Sequence, residues 1–245
     1  MRRSIFIATP LMLAACSIGS SGDAQGPGAP ASGSGNARTF AVADFDSVDL
    51  RGADDVDVRV GSGFSVRAEG ASDDLERLHI VREGQSLRIG RRKESGLRWG
   101  SGDAVRVLVT MPRIGSAKIA GSGDVAIDRV EGARFAGEIA GSGSLAIGAM
   151  QVDQASLSIA GSGDVKAAGT ARRLMIDIAG SGDVDAPDLS ADSAKVSIAG
   201  SGGVRARVTG TADVDVAGSG DVDLGAAARC TVRAHGSGTV RCEGR

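Results

Sequence analysis

The sequence predicts an all-β protein, in which a parallel β-helix (a β-solenoid) over residues 112–245 follows an irregular N-terminal β cap over residues 39–111. Three observations lead to this fold class. Glycine makes up 38 of the 245 residues while aromatic residues make up 2%. A Gly-Ser-Gly triplet recurs at a nearly constant interval, and apolar residues alternate with polar ones around it. Because rings are so rare, we expect a core of Val, Ile, Leu and Ala.

The Gly-Ser-Gly triplet is the main internal repeat, and repeats of about 20 residues are typical of solenoids. Seven copies follow one another at intervals of 18 to 20 residues, which predicts about seven units. Ala precedes six of the triplets and His235 precedes the last, while Asp follows four of them. The seven triplets begin at Gly121, Gly141, Gly161, Gly180, Gly200, Gly218 and Gly236.

Alternation of apolar and polar residues on both sides of the triplet predicts β-strands with one buried face. Ile176 and Ile178 precede one triplet, for example, and Val222 and Leu224 follow another. Each unit is therefore predicted to contain a strand, a tight corner, a second strand and a variable loop.

Two architectures fit such a unit: rungs of a parallel β-helix, or a run of antiparallel hairpins. Stacked rungs explain the recurring corner, because glycine can adopt positive φ and leaves room for the backbone of the neighbouring rung. Hairpins would not require identical corners, and they favour Asn-Gly or Asp-Gly turns, which these units lack. We therefore favour the single-stranded parallel β-helix. Its ends need caps, because an open parallel edge invites association.

The N-terminal region lacks the strict repeat but keeps the alternation, which predicts irregular first rungs and a cap. Val56, Val58 and Val60 lead to a further triplet, Gly61-Ser62-Gly63, and Pro112 marks the boundary with the repeats. Four of the five aromatic residues beyond residue 15 lie here, as expected of a cap with its own small core: Phe40, Phe45, Phe64 and Trp99.

The first 38 residues are predicted to lie outside the fold. Residues 1–15 have the basic start and short apolar stretch of a signal peptide. The adjoining Leu-Ala-Ala-Cys, which ends at Cys16, resembles the lipobox of bacterial lipoproteins, in which the cysteine is lipidated after cleavage. The alternative is an ordinary signal peptide with an incidental cysteine. Residues 16–38, rich in Gly, Ser, Ala and Pro, are predicted to form a flexible tether.

Cys230 and Cys242 flank the last triplet. Counting by twos along the strands places both thiols on the inward face of the last rung, with Cys230 over Ala212 and Cys242 over Leu224. In an exported protein this arrangement predicts a disulfide, and the alternative is a pair of buried free thiols. Metal binding is disfavoured, because only His235 lies nearby and zinc takes four ligands.

Together these features resemble the bacterial putative auto-transporter adhesin family with a head GIN domain. The resemblance rests on the lipobox, on Phe45-Asp46-Ser47-Val48-Asp49-Leu50, on Val109-Thr110-Met111-Pro112 and on the reiterated Ile-Ala-Gly-Ser-Gly-Asp-Val. It covers about residues 39–242. The resemblance implies a right-handed parallel β-helix and an extracytoplasmic location, and it supplies no catalytic residues.

The sequence shows no constellation typical of an enzyme, and we expect neither catalytic residues nor a cofactor. It has two histidines, His79 and His235, and no Gly-x-Ser-x-Gly nucleophile elbow. Asp164 and Asp183 would lie on neighbouring rungs and are weak candidates for calcium, which takes six or more oxygen ligands. The alternative is that each Asp accepts a hydrogen bond from a corner N–H while facing water.

A cluster of basic residues around one tryptophan could bind anionic lipid or polysaccharide. The alternative is a solvated basic loop between two strands. The overall net charge of −2 gives no reason to expect nucleic acid as a partner. The cluster consists of Arg88, Arg91, Arg92, Lys93, Arg98 and Trp99.

The sequence therefore predicts a non-enzymatic lipoprotein of the bacterial cell envelope that presents a β-solenoid for binding or adhesion. Its expected partners are the membrane, through the lipid anchor, and a protein or polysaccharide of the envelope or of another surface; self-association is also possible. Ser17, where inner-membrane lipoproteins often carry Asp, favours the outer membrane. The alternatives are a periplasmic structural or assembly scaffold and a polysaccharide-active β-helix enzyme.

Overall fold

Stacked parallel coils form a β-solenoid of about six turns in the computed structural model, which describes residues 28–92 and 104–242. The predicted signal peptide, Cys16 and the first part of the predicted tether lie outside the described residues. The elements of the N-terminal region are β1 (Ala31–Ser32), β2 (Ala37–Phe40), β3 (Ser47–Gly52), β4 (Asp55–Val60), β5 (Ser65–Glu69), α1 (Ser72–Arg77), β6 (Leu78–Glu83), β7 (Ser86–Arg91) and β8 (Arg106–Met111). The strands of the repeats are β9 (Ser116–Gly121), β10 (Val125–Gly141), β11 (Ser144–Gly161), β12 (Asp164–Gly180), β13 (Val184–Gly200), β14 (Val204–Gly218), β15 (Val222–Asp223), β16 (Arg229–Gly236) and β17 (Val240–Arg241).

Strands β10 to β14 each run around most of one coil and pair in parallel with the strand of the next coil. Val125 lies opposite Leu145, and Gly141 lies opposite Gly161. The corner glycines therefore stack on one another from coil to coil. This register confirms the parallel β-helix and contradicts the alternative of antiparallel hairpins for the repeats.

The core of the solenoid is aliphatic, as the composition predicts, with one exception. Columns of inward side chains such as Leu157, Ile176 and Val196 are almost completely buried. The exception is Phe135, whose ring is also fully buried. Room for this ring comes from Gly137, which occupies the same column as Leu157. A Cβ at Gly137 would lie 2.6 Å from Leu145 Cδ2.

The first rung of the solenoid is formed by β3 and β4 within the N-terminal region. Gly52 at the end of β3 lies opposite Gly121, and Val56 of β4 lies opposite Val125. The opposite edges of these two strands pair in parallel with β7 and β8. The rung therefore lies between segments that both come later in the sequence, so the spatial order of the rungs differs from the chain order.

Antiparallel strands and a short helix cover the N-terminal end of the solenoid. One sheet is extended by β5, β2 and β1 beyond β8, and the other is extended by β6 beyond β7. The sequence predicts a cap here, but α1 and the antiparallel pairing are findings of the structure. At the other end, β16 pairs with β14 and β17 pairs with β15; the described residues place no further strand beyond them.

Candidate functional surfaces

The corners of the coils form a continuous column along the solenoid. In the corner at Gly161, the backbone N–H of Ser162 donates to the carbonyl oxygen of Gly141 at 2.9 Å. Gly161 has a φ of +134°, and a Cβ there would overlap that same carbonyl oxygen. A Cβ at Gly163 would likewise overlap the carbonyl oxygen of Gly143. The recurrence of glycine is therefore caused by direct stacking of backbone on backbone.

Small exposed side chains flank this column and form a continuous surface along the solenoid. Six triplets are preceded by an alanine, and in five of these the alanine is exposed; in all seven the serine of the triplet is exposed. Because adjacent strands are about 4.8 Å apart, methyl groups and hydroxyls repeat at that spacing along the solenoid. We call this surface the Ala-Ser face. It consists of Ala140, Ala160, Ala179, Ala199 and Ala217 together with Ser122, Ser142, Ser162, Ser181, Ser201, Ser219 and Ser237.

The aspartates that follow the triplets bind the backbone of the next coil. Asp124 Oδ1 accepts a hydrogen bond from the backbone N–H of Ser144 at 2.8 Å. Asp164 accepts one from Asp183, at 3.1 Å, and Asp183 accepts one from Gly203, at 2.5 Å. These contacts match the alternative in which the carboxylate satisfies a corner N–H.

The calcium candidates Asp164 and Asp183 do lie on adjacent coils, as the spacing predicts. Within residues 28–92 and 104–242, no group of three or more His, Cys, Asp or Glu side chains could hold a metal ion. The two aspartates line a shallow groove of about 450 Å³. Lys166 and Arg205 also line this groove, and Arg205 Nη1 lies 2.9 Å from Asp185 Oδ1. The groove therefore carries mixed charge.

The predicted basic cluster is largely paired with acids where the structure describes it. Arg88 Nε lies 3.1 Å from Asp49 Oδ2. Arg91 binds two carboxylates, at 2.6 Å from Asp54 Oδ1 and 2.9 Å from Asp74 Oδ1. Arg92 is exposed. The other three members, Lys93, Arg98 and Trp99, lie outside the described residues, so the cluster as a binding surface remains a prediction.

The fully buried carboxylate of Asp54 is the centre of this arrangement. Besides Arg91, it accepts a hydrogen bond from the backbone N–H of Val105 at 3.0 Å. The hydrogen bond to Asp54 raises the pKa of Arg91 above its ordinary value. The ion pair of Arg91 with Asp54 thereby attaches β7 to the first corner of the solenoid. This structural role explains the presence of Arg91, and no bound ligand is needed to explain it.

Cys230 and Cys242 are joined in a disulfide, which confirms the predicted pair, with their Cα atoms 6.1 Å apart. Cys230 lies opposite Ala212, as the spacing predicts. Both cysteines are partly buried and pack against the aliphatic core. The disulfide therefore connects β16 to the residue that directly follows β17.

The first corner of the solenoid, Gly52-Ala53-Asp54, lacks the Gly-Ser-Gly triplet and was therefore not predicted from the sequence. Gly52-Ala53-Asp54 stacks below Gly121-Ser122-Gly123, and the N–H of Ser122 donates to the carbonyl oxygen of Gly52 at 2.9 Å. Asp55 follows it and accepts a hydrogen bond from the N–H of Asp124 at 3.2 Å. The signal available in the sequence was the alternation before Gly52 and the aspartate three positions after it.

The comparison with protein families agrees with this architecture. The family model described as "Putative auto-transporter adhesin, head GIN domain" matches residues 44–228. The chain belongs to this family. Membership of this adhesin family points to a non-enzymatic, adhesion-type protein of the cell surface or envelope. No helix within the described residues is long and apolar enough to cross a membrane.

Solved structures share the fold of this family member at low sequence identity. A putative adhesin from Bacteroides fragilis is 19% identical, with a TM-score of 0.75, covering 84% of this chain and 95% of that one. A putative adhesin from Parabacteroides merdae is 16% identical, with a TM-score of 0.67 and coverage of 84% and 95%. A putative lipid binding protein from Parabacteroides distasonis is 23% identical, with a TM-score of 0.61 and coverage of 87% and 96%. No curated protein matches the chain.

Proposed function

We propose that this protein is a non-enzymatic lipoprotein of the bacterial cell envelope, anchored through Cys16, whose Ala-Ser face binds another envelope component or an external surface. The single observation that carries this proposal is the face itself. Its exposed alanines and serines repeat on successive coils with little variation. Side chains of this size lose little conformational entropy on contact, so a flat partner can approach closely.

The chemistry of the remaining surface supports a binding role over catalysis. In the groove beside the corners, Asp185 pairs with Arg205, and Asp164 accepts a hydrogen bond from the backbone N–H of Asp183. A general acid or base would need a positioned partner for proton transfer. His79 is half-buried on β6, and His235 is exposed on the last coil, so the two histidines lie on elements at opposite ends of the solenoid.

The N-terminal sequence supports an envelope location. A lipidated Cys16 followed by a Gly- and Ser-rich tether would hold the solenoid away from the membrane surface. An outer-membrane anchor follows from Ser17 and is part of this proposal. The partner is expected to be a protein or a polysaccharide rather than nucleic acid, because the chain carries a small net negative charge.

A bead-adhesion assay tests the binding face. Beads coated with the full chain are mixed with intact cells of the producing bacterium and with its isolated envelopes. The double variant Ala160→Lys/Ala199→Lys places two long cations on the Ala-Ser face and should reduce adhesion at least fivefold. The control Gln151→Lys/Thr170→Lys adds the same charge at exposed positions of another face and should adhere normally. Equal adhesion of all three proteins would contradict the proposal.

Cell fractionation and protease shaving test the anchor and the location. Cys16→Ala should move the protein from the membrane fraction to the aqueous fraction. External protease should remove the solenoid from intact cells if it acts as an adhesin. Complete protection in intact cells, with cleavage after the outer membrane is opened, would instead favour the periplasmic scaffold.

A further inference from the structure

The last coil exposes part of the hydrophobic core at the end of the solenoid. Val232 lies in the same inward column as Val214, yet it is 44% exposed and is the only large hydrophobic side chain so exposed within the described residues. Cys230 and Val240 are partly buried beside it. Among the described residues, β16 and β17 pair on one side only, so alternate backbone N–H and C=O groups of their other edge have no β-sheet partner there.

Charged side chains alternate in sign along one outward column that leads to this edge, which consists of Lys166, Asp185, Arg205, Asp223 and Arg241. Asp185 pairs with Arg205 of the next coil at 2.9 Å. Asp215 pairs with Arg233 of the last coil at 3.3 Å. In each pair an acid on one strand faces a base on its neighbour, the arrangement that stabilises adjacent strands.

Within the described residues, the charged side chains of the last coil are all basic. Its outward residues include Arg229, Arg233 and Arg241, all exposed, and no acidic residue occurs in residues 229–242. Arg241 lies directly over Asp223, which in turn lies over Arg205. A further strand would complement these charges with carboxylates opposite Arg233 and Arg241, and it would carry small aliphatic residues at its inward positions.

We propose that the edge formed by β16 and β17 binds an extended acidic segment of a partner protein, which adds to the solenoid as a further strand. Backbone hydrogen bonds would supply affinity, as in other cases of strand addition, and Val232 would be covered by the aliphatic residues of the segment. Carboxylates of the segment would pair with Arg233 and Arg241. This binding goes beyond the proposed function, because it uses the end of the solenoid and not the Ala-Ser face.

The positive charge of this edge favours an acidic partner over a second copy of the chain and over a purely protective role. A second copy, placed edge to edge, would bring arginines against arginines, which is unfavourable. Charges on an edge can also serve only to prevent aggregation. If the arginines served only this protective role, neither an acidic nor a basic segment would bind to the edge formed by β16 and β17.

Fluorescence anisotropy with labelled peptides tests the proposal. The probe is a seven-residue peptide with the sequence of Thr211–Ala217, Thr-Ala-Asp-Val-Asp-Val-Ala, which is the strand that β16 contacts on its covered side. The control peptide carries Lys in place of both Asp residues. The full chain with its disulfide intact should bind the acidic peptide at least tenfold more tightly than the basic one.

Charge reversal on the protein distinguishes this edge from the rest of the surface. Arg233→Glu should weaken binding of the acidic peptide at least tenfold, because a peptide that adds in the register of β14 places its second Asp opposite Arg233. The ion pair of Arg233 with Asp215 is exposed, so its loss should leave the fold intact. Arg205→Glu removes the equivalent exposed ion pair with Asp185 on an inner coil and should bind normally. Equal binding of both peptides, binding that survives reversal at the edge, or no binding of either peptide would overturn the proposal.

Sedimentation velocity addresses the second copy. The full chain should remain monomeric at concentrations where the acidic peptide saturates it. A dimer that disappears in Val232→Asp would show that the edge binds another copy of the chain, which also overturns the proposal. The Ala160→Lys/Ala199→Lys variant should bind the peptide normally, so a failure of this proposal is separable from a failure of the Ala-Ser face.

Discussion

The same Gly-Ser-Gly triplet has different surroundings in the two regions of the molecule. In the solenoid, the triplet that begins at Gly161 is stacked directly on the triplet that begins at Gly141. In the N-terminal region, Gly61-Ser62-Gly63 joins β4 to β5, and a Cβ added at Gly63 would meet no atom within 4 Å. Glycine at Gly63 is favoured by its φ of +88° alone.

The difference shows that contact between neighbouring coils, and not the triplet itself, makes a corner. Gly52-Ala53-Asp54 also supports this conclusion, because it forms the first corner although it lacks the triplet. Where the other corners have glycine, Asp54 directs its carboxylate to Arg91 and to the backbone N–H of Val105.

The largest effect is expected from glycine substitutions in the two kinds of triplet. Gly163→Ala would force a Cβ into the carbonyl oxygen of Gly143 and against Ile139, so it should destabilise the protein by about 3 kcal/mol or more. Gly63→Ala has open space and should cost about 1 kcal/mol through its positive φ. Denaturant unfolding of the full chain, followed by circular dichroism, measures both.

Ser62→Ala and Ser162→Ala provide controls, because both serines are exposed and should change the free energy of unfolding by less than about 0.5 kcal/mol. Similar destabilisation by Gly163→Ala and Gly63→Ala would contradict this expectation, since it would mean that stacking adds nothing to the requirement for glycine.

The second effect concerns the last corner, which has a neighbouring coil on one side only within the described residues. Cys230→Ser/Cys242→Ser should destabilise this coil by about 2–3 kcal/mol, because the disulfide closes a short loop. Hydrogen exchange should accelerate in β16 and β17 while β11 and β12 stay protected, since repeat proteins lose stability locally. Uniform acceleration along the whole solenoid would contradict this expectation.

A smaller effect is expected at the aspartates that bind the next corner. Asp124→Ala removes the acceptor for the N–H of Ser144 and should cost about 1 kcal/mol. Asp177→Ala is a matched control on an outward position of β12 that makes no described hydrogen bond, and its stability should stay within about 0.5 kcal/mol of the original. Equal losses would show that the carboxylate charge matters more than the corner hydrogen bond.

No effect is expected from calcium. The carboxylates of Asp164 and Asp183 already accept backbone hydrogen bonds, and two carboxylates provide fewer oxygens than Ca²⁺ requires. Millimolar calcium or a chelator should leave the midpoint of thermal unfolding unchanged. A reproducible rise with calcium that Asp164→Asn abolishes would restore the calcium site.

The repeats were predictable because each coil carries the same local information. Alternating aliphatic residues indicate the strands, and the glycine of each corner indicates that the backbone of the neighbouring corner lies in direct contact with it. The recurrence of Ala and Ser at the corners was visible in the sequence, but their exposure became known only from the structure.

The N-terminal region was less predictable, because its contacts are not repeated. Nothing in the sequence shows that β3 lies between β7 and β9, or that Asp54 is buried against Arg91. Phe135 was also unexpected in a narrow aliphatic core, and its accommodation depends on the absence of a side chain at Gly137. The contact of Asp54 with Arg91 and the contact of Phe135 with Gly137 each occur once, so they produce no periodic pattern in the sequence.

The position of the first rung also has a consequence for the order of folding. Strands β3 and β4 are completed at Val60, yet their neighbours on both sides come from residues 86–91, 106–111 and 116–127. The repeats need only a closure of about 20 residues per coil, a low entropic cost that favours early formation. We therefore expect assembly to start among the inner coils and to proceed towards the N-terminus. The part of the fold that is synthesised first would be the part that becomes native last.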